Sequence, residues 1–84
     1  MKNIKCYDNG GKTLDRYTVV YLDYPEHQPK TYAARAMSDY PFHPQGFGQY
    51  TTVMVGRHLG KKIEFKDLPP DCQKLVKQDF SWVD

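Results

Sequence analysis

Residues 67–80, DLPPDCQKLVKQDF, decide the fold because they carry the signals of a capped helix. Asp67 offers a carboxylate to the free amides of a first turn, and Pro69 and Pro70 fall where no amide donor is needed. Asp71 lies near the positive end of the helix dipole, which favours a negative charge. The pattern predicts a helix that begins near Asp67.

One face of this helix is apolar. Cys72, Leu75, Val76 and Phe80 follow i, i+3, i+4, i+8 spacing, which places them on a single stripe. We expect the stripe to cover one face of a sheet and Trp82 to pack as a lid over the core. The remaining positions are predicted to face solvent: Lys74, Lys77, Gln78 and Asp79.

The chain before the helix has the pattern of short strands. Ile4–Tyr7 is followed by the turn signal Asp8-Asn9-Gly10-Gly11, which predicts a hairpin whose second strand runs from Thr13 to Tyr24. Within that strand, Tyr17–Leu22 is apolar on both faces. We therefore expect it to lie centrally, with material on each side.

Three further strands are predicted downstream. Lys30–Met37 combines strand and helix signals, and we favour a strand beside the Thr13–Tyr24 strand. Tyr50–Val55 is rich in β-branched residues, and Lys61–Phe65 alternates charged and apolar residues as an edge strand does. The predicted fold is α+β, with a small antiparallel sheet of about four to five strands packed against one C-terminal amphipathic helix.

Composition limits the chain to one domain, residues 1–84, because a chain this short cannot divide its core. Hydrophobic residues make up 39% and aromatic residues 14%, too much for a disordered chain, although the mean hydropathy is −0.77. No apolar run approaches the ~20 residues that span a bilayer, and the N-terminus lacks a secretory apolar segment. We expect a cytoplasmic protein without membrane partners, in which Cys6 and Cys72 are free thiols.

Residues 38–49 form the segment most suggestive of function. Two prolines and two glycines exclude a regular element, while several rings in the same segment demand burial or a partner. Two interpretations remain open, a binding surface and a structural plug whose rings fill a small core beneath the loop.

Charge adds a second signal. Between Lys30 and Lys66 there are six basic and two acidic residues, a balance of +4, whereas the rest of the chain balances at −2. An anionic partner would be attracted to the middle of the chain. Rings that can stack on bases and cations that can contact phosphates give these candidate binding residues: Arg35, Tyr40, Phe42, His43, Gln45, Phe47, Gln49, Arg57, Lys61 and Lys62.

Enzyme chemistry has weaker support in the sequence. The histidines are about fifteen residues apart and form no close ligand pair, so we predict neither a metal nor a cofactor. Cys72 could be activated by the helix dipole, but its place on the apolar stripe favours a buried thiol. A small hydrolase or metal-assisted enzyme that uses His43 and His58 remains the alternative.

The segments PFHPQGFGQ (residues 41–49), HLGKKI (58–63) and DLPPDCQ (67–73) resemble the signature segments of a family of small uncharacterised bacterial proteins. The resemblance extends to residues 15–20 and so spans most of the chain. It implies one intact domain and brings no activity, cofactor or functional residue with it.

The sequence thus favours a non-enzymatic binding module. Its partner, a protein or a nucleic acid, would contact the aromatic loop with Gly and Pro residues and the adjacent basic residues. The exposed edge near Lys61–Phe65 allows a homodimer without predicting one.

Overall fold

The computed structural model describes residues 3–26, 30–46 and 48–80, apart from the side chain of Phe80, and the predictions for Phe47 and Trp82 lie outside this part of the chain. It contains an antiparallel sheet and one α-helix, which confirms the predicted α+β fold. The strands are β1 (Ile4–Asp8), β2 (Tyr17–Pro25), β3 (Thr31–Met37), β4 (Gly48–Met54) and β5 (Lys61–Ile63). The helix α1 spans Pro70–Phe80, and two 3₁₀ turns cover Arg57–Leu59 and Phe65–Asp67. No helix in the described ranges is both long and apolar enough to cross a membrane.

The strands lie in the order β4-β3-β2-β1-β5. The first four follow one another as antiparallel neighbours, and the connection of residues 55–60 then carries the chain from one edge of the sheet to the other. There β5 pairs with β1, with Lys61 opposite Asp8 and Ile63 opposite Cys6. The prediction of an edge strand beginning at Lys61 is confirmed, although the strand is only three residues long.

Strand β2 lies at the centre of the sheet, as its apolar faces predict. All five residues from Tyr17 to Tyr21 are buried. Val19 and Tyr21 join the core that α1 covers, while Val20, next to Ala34 of β3, is fully buried on the opposite face. The strand begins at Tyr17 rather than at the predicted Thr13, because the intervening residues form a structured loop.

The α-helix begins three residues later than predicted. Asp67 ends a 3₁₀ turn and accepts a hydrogen bond from the Glu64 amide (3.0 Å), so its carboxylate does not cap α1. Leu68 is extended, at φ −70° and ψ 148°, as the residue before a proline prefers. The first hydrogen bond of the helix runs from the Gln73 amide to the Pro69 carbonyl (3.0 Å). The tandem prolines therefore delay the helix.

The core lies between α1 and one face of the sheet. Cys72, Leu75 and Val76 of the predicted stripe are buried there, together with Leu68 just before the helix. They pack against side chains of the three central strands: Cys6, Tyr17, Val19, Tyr21 and Met37. The stripe positions α1, and α1 in turn holds the loop that follows β3.

Candidate binding surface

The β1–β2 loop, residues 9–16, is organised by Asn9. The Asn9 side-chain amide donates to Thr13 Oγ1 (2.9 Å) and to the Asp15 carbonyl (3.1 Å). Its Oδ1 accepts from the Gly11 amide (2.8 Å), and its own amide donates to the Arg16 carbonyl (2.9 Å). These local bonds replace the tight turn that the sequence predicts.

The β3–β4 loop is a series of turns as far as it is described. The His43 amide donates to the Tyr40 carbonyl (3.1 Å), and the Gly46 amide donates to the His43 carbonyl (2.8 Å). A Cβ at Gly46 would lie 1.9 Å from the Tyr40 carbonyl oxygen, a distance that no side chain tolerates. Gly46 is therefore required by the close approach of two backbone segments.

Helix α1 anchors the base of this loop. The Cys72 thiol donates to the Ser38 carbonyl (3.1 Å), and a Cβ at Gly48 would lie 2.7 Å from Leu75 Cδ2. Burial, with smaller effects of Asp39 and Asp71, raises the pKa of Cys72 to about 12. The buried thiol predicted from the sequence is confirmed, and it stays protonated at neutral pH, when a nucleophile would need to be a thiolate.

The Tyr40 and Phe42 rings of the β3–β4 loop face outward. The exposed fractions are 67% for Tyr40 and 48% for Phe42, and the Lys74 ammonium lies 5.8 Å from the centre of the Phe42 ring. Leu14, in the β1–β2 loop, is 72% exposed. Tyr40 and Phe42 therefore do not plug a small core.

A cavity of about 400 Å³ separates the two loops. Its charged lining residues are Arg16 and Asp39. Arg16 already pairs with Asp8, with Nε 2.9 Å from Oδ1, and this contact holds the pKa of Asp8 below its usual value. Asp39 Oδ1 is buried and has no hydrogen-bond partner in the described part of the chain. The full lining is Gly11, Thr13, Leu14, Arg16, Ser38, Asp39, Tyr40, His43, Gln45 and Gly46.

Three of the predicted binding residues, Tyr40, His43 and Gln45, meet at this cavity. Gln49 lies on β4, where its side-chain amide is 3.4 Å from Asp15 Oδ2 and thus connects β4 with the β1–β2 loop. The sequence interpretation missed the whole contribution of the β1–β2 loop. The available signal was Leu14, an isolated apolar side chain within a polar turn.

Arg35 has a structural role. Its Nε and Nη2 donate to the Asp79 carboxylate at 2.8 and 2.7 Å, and its Nη1 donates to the Gly48 carbonyl (3.1 Å). The guanidinium also lies over the Tyr50 ring, 4.3 Å from its centre. Hydrogen bonding to Asp79 raises the pKa of Arg35 above its usual value. We therefore leave Arg35 out of the candidate surface.

Asp79 is the buried half of this pair. The prediction that it faces solvent is wrong, because its side chain is only 6% exposed and also accepts a hydrogen bond from the Tyr21 hydroxyl. Burial, and then the contact with Asp79, raise the pKa of Tyr21 above its usual value. Three elements, β2, β3 and α1, thus meet at one carboxylate.

The other predicted cations lie outside the cavity lining. Lys61 and Lys62 border a separate cavity of about 300 Å³, which Glu64 and Asp67 also line. Arg57 is exposed in the connection between β4 and β5. The aromatic loop and the two lysines that the sequence joins into one surface therefore border different cavities.

The two histidines of the enzyme alternative lie on different connections, His43 between β3 and β4 and His58 between β4 and β5. His43 lines the cavity, and its Nδ1 accepts a hydrogen bond from the Gln45 amide (3.2 Å), so the proton of the neutral ring belongs on Nε2. His58 lies in the first 3₁₀ turn and is not part of the cavity lining. Across the described ranges, no group of three or more His, Cys, Asp or Glu residues could hold a metal ion.

Comparison of the chain with protein-family models, with curated proteins and with solved structures finds no match.

Proposed function

We propose that this chain is a non-enzymatic protein-binding module that receives a segment of its partner between the β1–β2 and β3–β4 loops. The observation that carries the proposal is the pair of exposed apolar side chains, Leu14 and Tyr40, on opposite loops of one cavity of about 400 Å³. Exposed apolar side chains around a concave surface are a typical mark of an interaction site.

Charge favours a protein over a nucleic acid as the partner. Nucleic-acid binding depends on several cations that are free to contact phosphates. At this cavity the guanidinium of Arg16 is already paired with Asp8, and Asp39 adds a negative charge. A peptide with an apolar side chain and a nearby cation or amide donor suits this lining better than a phosphate does.

The hydrogen-bond chemistry of the lining is consistent with this choice. An unsatisfied buried acceptor costs free energy, which a donor from a ligand recovers. Asp39 Oδ1 is such an acceptor, and the Tyr40 ring lies one residue further along the same loop. We assign the apolar contact to Leu14 and Tyr40 and the polar contact to Asp39.

We place the protein in the cytoplasm as part of the same proposal. Cys6 and Cys72 are both buried and unbridged, which suits a reducing compartment. The resemblance to small bacterial proteins remains a second proposal, and no activity follows from it.

Selection from a displayed peptide library tests the binding function. We expect enrichment of peptides that pair an apolar residue with a basic one. Tyr40→Ala should weaken their binding by about 30-fold, the effect of a hot-spot residue worth about 2 kcal/mol. Asp39→Asn should reduce the preference for the basic residue, because it removes the charge and keeps the shape.

Tyr24→Ala is the matched control, since Tyr24 is also an exposed tyrosine, at 42%, but lies near the far end of β2. It should leave peptide binding unchanged. Equal binding by the wild type, Tyr40→Ala and Asp39→Asn would refute the proposal. Retention of single-stranded nucleic acid that decreases with salt would instead identify a nucleic acid as the partner.

A further inference from the structure

The two edges of the sheet differ in how they are protected. β5 is three residues long and carries two exposed lysines, Lys61 and Lys62. The shortness of the strand and its charge both discourage pairing with another strand. β4 is seven residues long, Gly48–Met54, and has no charged residue and no proline. Among the described residues, β4 pairs with β3 alone.

The edge strand β4 also exposes large apolar side chains beside the polar Gln49 and Thr52. Tyr50 is 57% exposed and Met54 is 52% exposed, although both lie on the face of the sheet that carries α1. Thr51 and Val53 on the other face are half-buried. A long, uncharged edge strand with exposed apolar side chains is a ready template for another strand.

We infer that β4 forms an antiparallel pair with β4 of a second copy of this chain, which joins the two sheets across a two-fold axis. The sequence of the strand is suited to pair with itself. With Thr51 opposite its own symmetry mate, Tyr50 faces Thr52 of the other copy and Gly48 faces Met54. Tyr50 and Met54 then each meet a smaller residue, Gln49 faces Val53, and no like charges are opposed.

The difference between the two edges of the sheet is consistent with pairing between two copies that stops at a dimer. In the ranges that the structure describes, β4 is the unprotected edge, because β5 is short and positively charged. An isologous contact through β4 uses that edge in both copies and closes the assembly. The edge near Lys61–Phe65, which the sequence makes a possible site of dimerisation, is the protected one.

Sedimentation equilibrium between micromolar and several hundred micromolar protein tests the inference. We expect the apparent mass to rise to twice the chain mass of 9.8 kDa. Thr51→Lys should remain monomeric over the same range, because it opposes two cations on the two-fold axis. Lys62→Glu changes a charge on the other edge and should dimerise as the wild type does.

Cross-linking tests the register. Directly opposite residues of an antiparallel pair have Cα atoms about 4.5–5.5 Å apart, within the range that a disulfide needs. Oxidised Thr51→Cys should become a covalent dimer, whereas Lys62→Cys should not. A wild type that stays monomeric at several hundred micromolar overturns the inference, as does cross-linking of Lys62→Cys equal to that of Thr51→Cys.

Discussion

Arg35 and Asp79 are 44 residues apart in the sequence and form a bidentate ion pair in the fold. Asp79 lies in the last turn of α1, where the helix dipole disfavours a negative charge. The Arg35 guanidinium and the Tyr21 hydroxyl compensate for this position and fasten the end of the helix to the sheet. Arg35 thus stabilises the fold and does not contact a partner.

Arg35→Met removes one half of this pair and leaves the Asp79 carboxylate buried. We expect a loss of about 3 kcal/mol in the free energy of unfolding, measured by urea denaturation. Arg57→Met, at an exposed arginine, should change it by no more than about 0.5 kcal/mol. Adding Asp79→Leu to Arg35→Met should recover part of the loss. Equal, small effects of Arg35→Met and Arg57→Met would contradict a stabilising role.

At the scale of elements, the connection between β4 and β5 depends on one tight contact. Gly60 has φ +107°, and a Cβ there would lie 2.4 Å from the Asp8 carbonyl oxygen and 2.6 Å from Asn9 Cα. The chain can therefore enter β5 beside β1 only because residue 60 has no side chain. Gly60 is therefore required for the pairing of β5 with β1.

Gly60→Ala should destabilise the fold by about 3 kcal/mol, because backbone strain and a steric clash act together. Gly10→Ala is the matched control. Gly10 has φ +78° with nothing within 4 Å of the added Cβ, so it should lose only about 1 kcal/mol. Thermal unfolding of the two variants measures the difference. If both lose the same amount, the contact with Asp8 is unimportant.

At the scale of the whole molecule, the two buried thiols influence how the stability of the fold changes at alkaline pH. Burial raises the pKa of Cys6 from 9.0 to about 11 and that of Cys72 to about 12. Above pH 9 the unfolded chain loses these protons while the folded chain keeps them, so the unfolded state gains stability. The thiols should therefore leave the free energy of unfolding unchanged between pH 7 and pH 9 and lower it from there toward pH 12.

Each thiol contributes a slope of at most about 1.4 kcal/mol per pH unit. Urea denaturation of the wild type and of the Cys6→Ala/Cys72→Ala variant between pH 7 and pH 10.5 measures it. The double variant should be less stable at pH 7 but should decline less steeply above pH 9. The raised pKa of Tyr21 leaves part of the slope in both proteins. Identical slopes would show that burial does not raise the pKa of the two thiols.

Local patterns were sufficient for most elements of the fold. The two apolar faces of Tyr17–Tyr21 and the stripe of Cys72, Leu75 and Val76 each specify burial directly. The boundaries were less predictable. Side-chain bonds of Asn9 extend the loop before β2, and the residue before each tandem proline is excluded from the helix.

The candidate surface was predictable only in part. Tyr40, His43 and Gln45 are neighbours in the sequence and meet at the cavity because a single loop carries them. Leu14 and Arg16 join them from a hairpin loop more than twenty residues earlier, which requires the sheet to align the ends of β1–β2 and β3–β4. A local sequence pattern carries no information about that alignment.

The C-terminal helix shows most clearly which features the sequence determines and which the tertiary structure decides. The sequence alone determined that a helix would form there and which face would be buried, since both follow from periodicity within one element. Only the tertiary structure decided that Asp79 is buried, that Arg35 is committed to it and that β4 is left as the open edge. Those outcomes depend on which distant segments meet, and the free energy of a charge or of an unpaired strand is set by its neighbours in space.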